Sequence, residues 1–154
     1  MSTVAQRLAD LGITLPPLAI PAAAYVPFAR SGSLIFLSGH IAKRDGKVWT
    51  GRLGEDLDTA TGAAAARAVG IDLLGTLNAA LDGDLERVLR IVKLMSLVSS
   101  TPAYTEQHLV TNGASQLMGE VFGPTVGAHA RSAFGVPSLP LGACVEIELI
   151  AEVR

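Results

Sequence analysis

The C-terminal segment alternates between aliphatic and acidic side chains, and this alternation constrains the fold more than any other feature of the sequence. From residue 145 to residue 153 the odd positions are aliphatic, and the even positions hold Glu146, Glu148, Ile150 and Glu152. Successive side chains of a β-strand point to opposite faces of its sheet, so a period of two indicates a strand with one buried face. We therefore expect a final strand over residues 143–153, with its carboxylates on the other face.

Two segments carry the signals of long helices. Asp58 or Thr59 can accept hydrogen bonds from the free backbone N–H groups at the start of a helix that would end at Leu81. Within this segment apolar side chains recur on one helical face, at Ala66, Val69, Leu73, Leu77 and Ala80. A second helix is expected over residues 105–122, where Gly123-Pro124 closes it.

Short apolar segments bounded by turn residues predict the remaining strands. In addition to the final strand, the predicted strands are residues 22–28, 34–38, 47–50, 88–99 and 129–136. An Asp-Gly turn at residues 45–46 favours a hairpin between the early strands. This order of strands and helices predicts an α+β domain in which two helices cover one face of a mixed sheet.

The N-terminal residues differ in pattern from the rest of the chain. Apolar residues at helical spacing predict a short helix over residues 2–11, after which Pro16, Pro17 and Pro21 impose an irregular path. We therefore expect a helical extension and proline-rich arm over residues 1–21, followed by the α+β domain over residues 22–154. The mean hydropathy of +0.42 favours burial of further apolar surface between subunits.

Composition disfavours several classes of protein. A net charge of −2, with Lys43-Arg44 as the longest basic run, argues against general nucleic-acid binding. Charge, Gly or Pro interrupts every stretch of about 18 residues, which argues against a membrane span. The single cysteine, Cys144, excludes an intrachain disulfide and a cysteine zinc cluster. The N-terminus has no signal-peptide pattern, so a cytoplasmic location is expected.

One cation stands out in the C-terminal quarter. Arg131 lies in a predicted strand of otherwise small or apolar residues, and a buried guanidinium needs a carboxylate or phosphate partner. Glu146 lies on the next strand, beyond a loop that contains two prolines, and we expect antiparallel pairing to bring the two side chains together. From the residues alone, a structural ion pair and a ligand-binding site both remain open.

The same region resembles the RidA family, also called YjgF or L-PSP, of reactive-intermediate deaminases. The matching segments are Ala130-Arg131-Ser132, Leu139-Pro140 and Val145-Glu146-Ile147-Glu148. Upstream, Ala24-Tyr25-Val26, the Ser38-Gly39-His40-Ile41 strand end and Asn112 also fit the family pattern. The sequence departs from that pattern where Ala133 replaces a cysteine and His40 replaces a glutamine.

The resemblance implies a chorismate-mutase-like fold and a homotrimer with a barrel-like centre and three clefts at subunit interfaces. It also implies hydrolysis of small enamines or imines to 2-keto acids and ammonia, without a metal or other cofactor. In that reaction Arg131 would clamp the substrate carboxylate, and Glu146 would orient and activate water. The substrate-binding residues would be Tyr25, Ser38, Gly39 and Asn112.

Two alternatives to the deaminase activity remain. The first is a trimer that holds a small carboxylate metabolite in the same clefts without turnover. The second is RNA cleavage, an activity that part of the family carries in its name. The net charge of −2 disfavours RNA cleavage.

Overall fold

The computed structural model describes residues 1–21 and 23–154. Within them the helices are α1 (Val4–Asp10), α2 (Thr59–Ala80) and α3 (Gln107–Val126). The strands are β1 (Phe28–Ser31), β2 (Leu34–Ile41), β3 (Lys43–Arg44), β4 (Lys47–Val48), β5 (Val88–Ser99), β6 (Ala130–Val136) and β7 (Val145–Val153). No helix among these is long and apolar enough to cross a bilayer.

The main sheet is mixed, and helices pack on one of its faces. Its strand order is β1-β2-β7-β5-β6, and β3 and β4 form a separate hairpin. Strands β5 and β6 run parallel, whereas the other neighbouring pairs of the main sheet are antiparallel. Helices α2 and α3 pack against each other and against β7 and β5. The predicted α+β architecture is confirmed.

Strand β7 has the alternation that the sequence predicts. Its odd residues are buried in the core beneath the helices, and its even residues are half-buried on the other face of the sheet. We call the latter the open face. The strand begins at Val145, two residues later than predicted, because Ala143 and Cys144 pair with the segment after β4.

The two predicted long helices are present. Asp58 caps α2 by accepting a hydrogen bond from the Thr61 amide at 2.8 Å, as its position in the sequence predicts. Helix α3 begins at Gln107 and continues to Val126, beyond the predicted end at residue 122. Gly123 leaves the helical conformation with φ +85°, and Pro124 then fits the first turn of a further short helical segment, where no amide donor is needed.

The predicted edge strand over residues 22–28 is wrong in its boundaries. Residue 22 lies outside the described residues, and residues 23–27 form bends and irregular backbone. Pairing begins at Phe28, opposite Leu37, directly after a proline that has no amide to donate. A two-residue turn at Gly32 and Ser33 then joins β1 to β2. The division of the chain at residue 21 stays a prediction.

Candidate functional site

The six residues predicted to form the site fall into two groups in the folded chain. Arg131 lies on β6 and Glu146 on β7, and β5 runs between these strands. The expected antiparallel pairing of β6 with β7 is wrong, because β6 pairs in parallel with β5 at the sheet edge. Arg131 is opposite the buried Leu94 on the helix-covered face, whereas Glu146 belongs to the open face.

The arginine half, as we call the group around Arg131, consists of Arg131, Asn112, Ser115 and His129. Arg131 Nη1 donates to Asn112 Oδ1 at 2.8 Å and to Ser115 Oγ at 3.1 Å. Its Nη2 donates to the His108 carbonyl at 3.1 Å. All three acceptors are neutral, and within the described residues Arg131 forms no ion pair with a carboxylate. Its positive charge is therefore available to an anionic ligand.

His129 fixes the hydroxyl that contacts this guanidinium. His129 Nδ1 lies 2.7 Å from the Gly127 carbonyl, which can only accept, so Nδ1 carries the hydrogen. In the neutral ring Nε2 then accepts from Ser115 Oγ at 2.9 Å. The lone pairs of Ser115 are thereby directed to Arg131. This network holds the guanidinium in one orientation without cancelling its charge.

A cavity of about 420 Å³ lies beside Arg131 and is bounded by the other members of the arginine half. Sequence reasoning identified Asn112 but missed Ser115. The sequence contains a signal for Ser115, because residues 108, 112 and 115 are spaced by four and three and therefore lie on one face of a helix. That face of α3 supplies every acceptor that Arg131 uses.

The carboxylate half consists of Tyr25, Ser38, Gly39 and Glu146. Strand β2 changes register between Leu37 and His40, and Gly39 lies in this irregular stretch. A Cβ atom at Gly39 would overlap Oε1 of Glu146, so the absence of a side chain lets the carboxylate lie against the β2 backbone. Burial raises the pKa of Glu146, and the neighbouring charge of Glu148 raises it further.

Ser38 ties the chain before β1 to this half. Its hydroxyl donates to the Val26 carbonyl at 2.6 Å, and its amide donates to the Pro27 carbonyl at 3.0 Å. Tyr25, 52% exposed, lines with Ser38 and Gly39 a pocket of about 220 Å³. Leu141, which sequence reasoning missed, lines the same pocket. Its side chain is 75% exposed, and its backbone has a positive φ of +58°. The serine hydroxyl hydrogen is engaged by a carbonyl, so Ser38 acts here as a structural tie.

Cys144, the remaining candidate nucleophile, lies outside both halves. Cys144 is buried, and burial raises the pKa of its thiol to about 11, which keeps the thiol protonated and unreactive at neutral pH. Among the residues described, no three or more His, Cys, Asp or Glu side chains gather into a group that could hold a metal ion.

Comparison with known proteins places nearly the whole chain in one family. Residues 5–153 match the family model described as "YjgF/chorismate mutase-like, putative endoribonuclease". Protein TCP17 of Trypanosoma cruzi is 48% identical over 152 residues, which cover 98% of this chain and 94% of TCP17.

Two crystal structures are similar over almost their full length. One is a protein of unknown function from Agrobacterium tumefaciens, with a TM-score of 0.90, 44% identity, and coverage of 99% of this chain and 94% of that one. The other, from Shewanella oneidensis MR-1, carries the same endoribonuclease description. Its TM-score is 0.93 at 31% identity, with coverage of 99% of this chain and 100% of that one.

Proposed function

This chain belongs to the YjgF/chorismate mutase-like family, and from that premise we propose that it hydrolyses small enamine or imine intermediates to 2-keto acids and ammonia without a cofactor. The observation that carries the proposal is the Arg131 guanidinium, held by neutral acceptors beside a cavity. A planar guanidinium whose charge is not paired with a carboxylate of the described residues can bind a substrate carboxylate through two parallel hydrogen bonds. The expected cytoplasmic location is part of the same proposal.

The reaction needs both halves, which lie on different faces of one chain. We therefore propose a homo-oligomer, with a trimer as the expected form, in which the arginine half of one copy faces the carboxylate half of its neighbour. The open face supports association, because α2 and α3 pack on the opposite face of the sheet and the open face carries exposed aromatic side chains. Phe36 and Phe134 are each 42% exposed there, in register with Ile150 and Leu97 respectively.

The chemistry follows from the two groups. Arg131 binds the substrate carboxylate and fixes the imine carbon near Glu146, which lowers the entropic cost of attack. Water adds through its oxygen to the imine carbon while Glu146 accepts a proton, and the C=N electron pair moves to nitrogen, which is protonated. The C–N bond of the carbinolamine then breaks. The hydroxyl proton is transferred to the amino nitrogen, which leaves as ammonia with the C–N electron pair, and the C=O bond of the 2-keto acid forms.

RNA cleavage is the second candidate function, favoured by the family description. The chain offers little to a polyanion: its net charge is −2, and several of its arginines are already paired with carboxylates, including Arg67 with Glu120 at 2.8 Å. RNA binding depends on neutralising several phosphates at once. Saturable RNA binding with strand cleavage at physiological salt would favour this candidate over the deaminase.

The first test is ammonia release from freshly generated 2-aminoacrylate. We expect the wild-type protein to exceed the spontaneous rate and Arg131→Met to lower kcat/KM by about 10²- to 10³-fold, because a charge-assisted contact to the substrate carboxylate is lost. Arg67→Met is the matched control, since it removes an arginine of the α2–α3 surface that contacts neither half, and it should retain full activity.

Other results of this assay would exclude the deaminase. If the wild-type protein binds 2-ketobutyrate through Arg131 but releases ammonia no faster than buffer, the chain is a carboxylate-binding module without turnover. If Arg131→Met keeps wild-type kcat/KM, the guanidinium does not bind the substrate and the proposed site is wrong.

A second prediction concerns assembly. Phe134→Glu should reduce the mass measured by light scattering to that of one chain, because it places a carboxylate on the open face in line with Leu97 and Glu146 of the neighbouring strands. Leu11→Glu is the control: Leu11 is 38% exposed at the end of α1, and this variant should keep the wild-type mass. A wild-type mass of one chain would contradict the shared site.

A further inference from the structure

The largest cavity that we describe lies under the proline-rich arm and belongs to neither half of the proposed site. It has a volume of about 490 Å³ and lies between arm residues 16–19, helix α2 and the β3–β4 hairpin. Its polar members are His40, Lys43, Asp72 and Thr76, and its apolar members include Pro16, Pro17, Leu18 and Ile71. It adjoins the pocket of the carboxylate half, with which it shares His40 and Lys43.

The arm reaches this position because α2 has a glycine where the arm crosses it. A Cβ atom at Gly75 would lie 2.5 Å from the Pro16 carbonyl oxygen and 3.0 Å from Pro16 Cγ. Any side chain at position 75 would push the arm away from α2, since real Cβ atoms do not approach a backbone oxygen so closely. The roof of the cavity thus depends on a specific close contact between Pro16 and Gly75.

Asp72 is the acidic group of the cavity wall. Its carboxylate is half-buried, and within the described part of the chain it makes no hydrogen bond or ion pair. Burial raises its pKa, and the nearby charge of Lys43 acts in the opposite direction. An ammonium group placed against Asp72 would supply the hydrogen bonds that this carboxylate lacks.

The other polar groups leave the cavity with one positive and one negative charge. The His40 Nε2 atom lies 3.1 Å from Oγ1 of the buried Thr76. Burial, together with the charge of Lys43, lowers the pKa of His40, so the ring is neutral at pH 7. The exposed Lys43 ammonium at the rim and the Asp72 carboxylate are then the charged groups of the wall.

We propose that this cavity binds a free α-amino acid with an apolar side chain. Its ammonium group contacts Asp72, its carboxylate contacts Lys43 and its side chain packs against the prolines and Ile71. A simple anion is repelled by Asp72 and a simple cation by Lys43, whereas a dipolar ligand is attracted by both. The site does not use Arg131, so it stands independently of the proposed deaminase activity.

The test uses three ligands of the same shape with the full-length protein. Leucine carries both charges, 4-methylpentanoate lacks the ammonium group and 3-methylbutylamine lacks the carboxylate. In ¹⁵N-detected titrations we expect leucine to shift the amides of residues 40, 43, 72 and 76. Leucine should bind about tenfold more tightly than 4-methylpentanoate, which loses the contact to the half-buried Asp72. It should bind about two- to fivefold more tightly than 3-methylbutylamine, which loses the contact to the exposed Lys43.

Matched variants separate the two charges. Asp72→Asn should weaken leucine binding about tenfold or more and leave 4-methylpentanoate binding unchanged or tighter. Lys43→Met should weaken leucine binding about two- to fivefold and leave 3-methylbutylamine binding unchanged. Gly75→Leu should abolish leucine binding with little change in far-ultraviolet circular dichroism, because only the arm is displaced. Since Lys43 is exposed, its variant reports on binding even if Asp72→Asn lowers the melting temperature.

Three outcomes would overturn the site. Equal affinity for leucine and either analogue excludes dipolar recognition. Wild-type leucine binding by Lys43→Met excludes the carboxylate contact. Loss of leucine binding in Arg131→Met, with amide shifts confined to residues 112, 115 and 131, would place the ligand in the arginine half. A failure of the deaminase assay would leave all three tests intact.

Discussion

Glu146→Gln is expected to lower kcat for imine hydrolysis by about 10²- to 10⁴-fold, the usual contribution of a positioned general base. The amide has nearly the shape of the carboxylate and still fits against Gly39, but it cannot accept a proton from water. Affinity for 2-ketobutyrate, a non-reactive analogue of the 2-keto acid product, should change little, because Arg131 remains. The measurement is steady-state ammonia release, paired with calorimetric titration of 2-ketobutyrate.

The pH dependence of the wild-type protein checks the same role. Burial raises the pKa of Glu146, so kcat should fall as pH drops through a value above that of an ordinary glutamate, where the carboxyl becomes protonated. Glu148→Gln is a control for which the direction of the shift in the pH profile can be predicted. Because the charge of Glu148 contributes to the raised pKa, its removal should shift this acidic limb to lower pH while preserving kcat at neutral pH.

Two results would remove Glu146 from the mechanism. One is a Glu146→Gln protein with wild-type kcat. The other is an acidic limb that stays in place in Glu148→Gln and is unchanged in the residual activity of Glu146→Gln, since another group would then be responsible for it.

Mixing two inactive variants is expected to restore activity. In the proposed assembly each site takes Arg131 from one copy and Glu146 from its neighbour. In a random 1:1 mixture of Arg131→Met and Glu146→Gln chains, a given site receives an intact arginine half in one case of two and an intact carboxylate half in one case of two. About a quarter of the sites should therefore be complete in any closed ring with one site per interface.

The experiment is co-expression of the two variants with different affinity tags, followed by sequential purification of mixed assemblies. Selecting assemblies that carry both tags raises the complete fraction above the random value, and each variant purified alone sets the background. A chain that carries both substitutions, co-expressed with either single variant, is the control, because no site in that mixture can be complete.

A mixed assembly no more active than its components would contradict the shared site. It would mean that Arg131 and Glu146 act within one chain, or that one of them has no catalytic role. The Glu146→Gln and Arg131→Met proteins measured alone distinguish these explanations.

The sequence was sufficient for the elements whose signals are local. The alternation over residues 145–153 predicted β7 and its two faces, and Asp58 predicted the start of α2 through a hydrogen bond that spans three residues. These structures depend on backbone periodicity and on neighbouring groups, which the order of residues contains directly. The sequence predicted the boundaries of β1 and α3 less accurately. Pro27 and Gly123 each allow more than one backbone conformation in the neighbouring residues, so neither residue alone shows where its strand or helix begins or ends.

The relation between Arg131 and Glu146 could not be found from their separation along the chain. A short loop between two strands favours a hairpin, but here β5 lies between them, because α3 crosses over the sheet and returns β6 parallel to β5 at the edge. The inserted strand and the opposite faces separate the two side chains. Whether an arginine half faces a carboxylate half therefore depends on how copies of the chain assemble.

By itself the sequence determined the α+β class and the buried faces of β7 and α2, since these follow from residue type and periodicity. Only the tertiary structure decided that the guanidinium is held by neutral acceptors from α3, that Glu146 lies against Gly39, and that Asp72 and Lys43 share a cavity under the arm. Those contacts join segments far apart in the chain. Their geometry depends on how strands are ordered and how closely backbones approach, which no local pattern specifies.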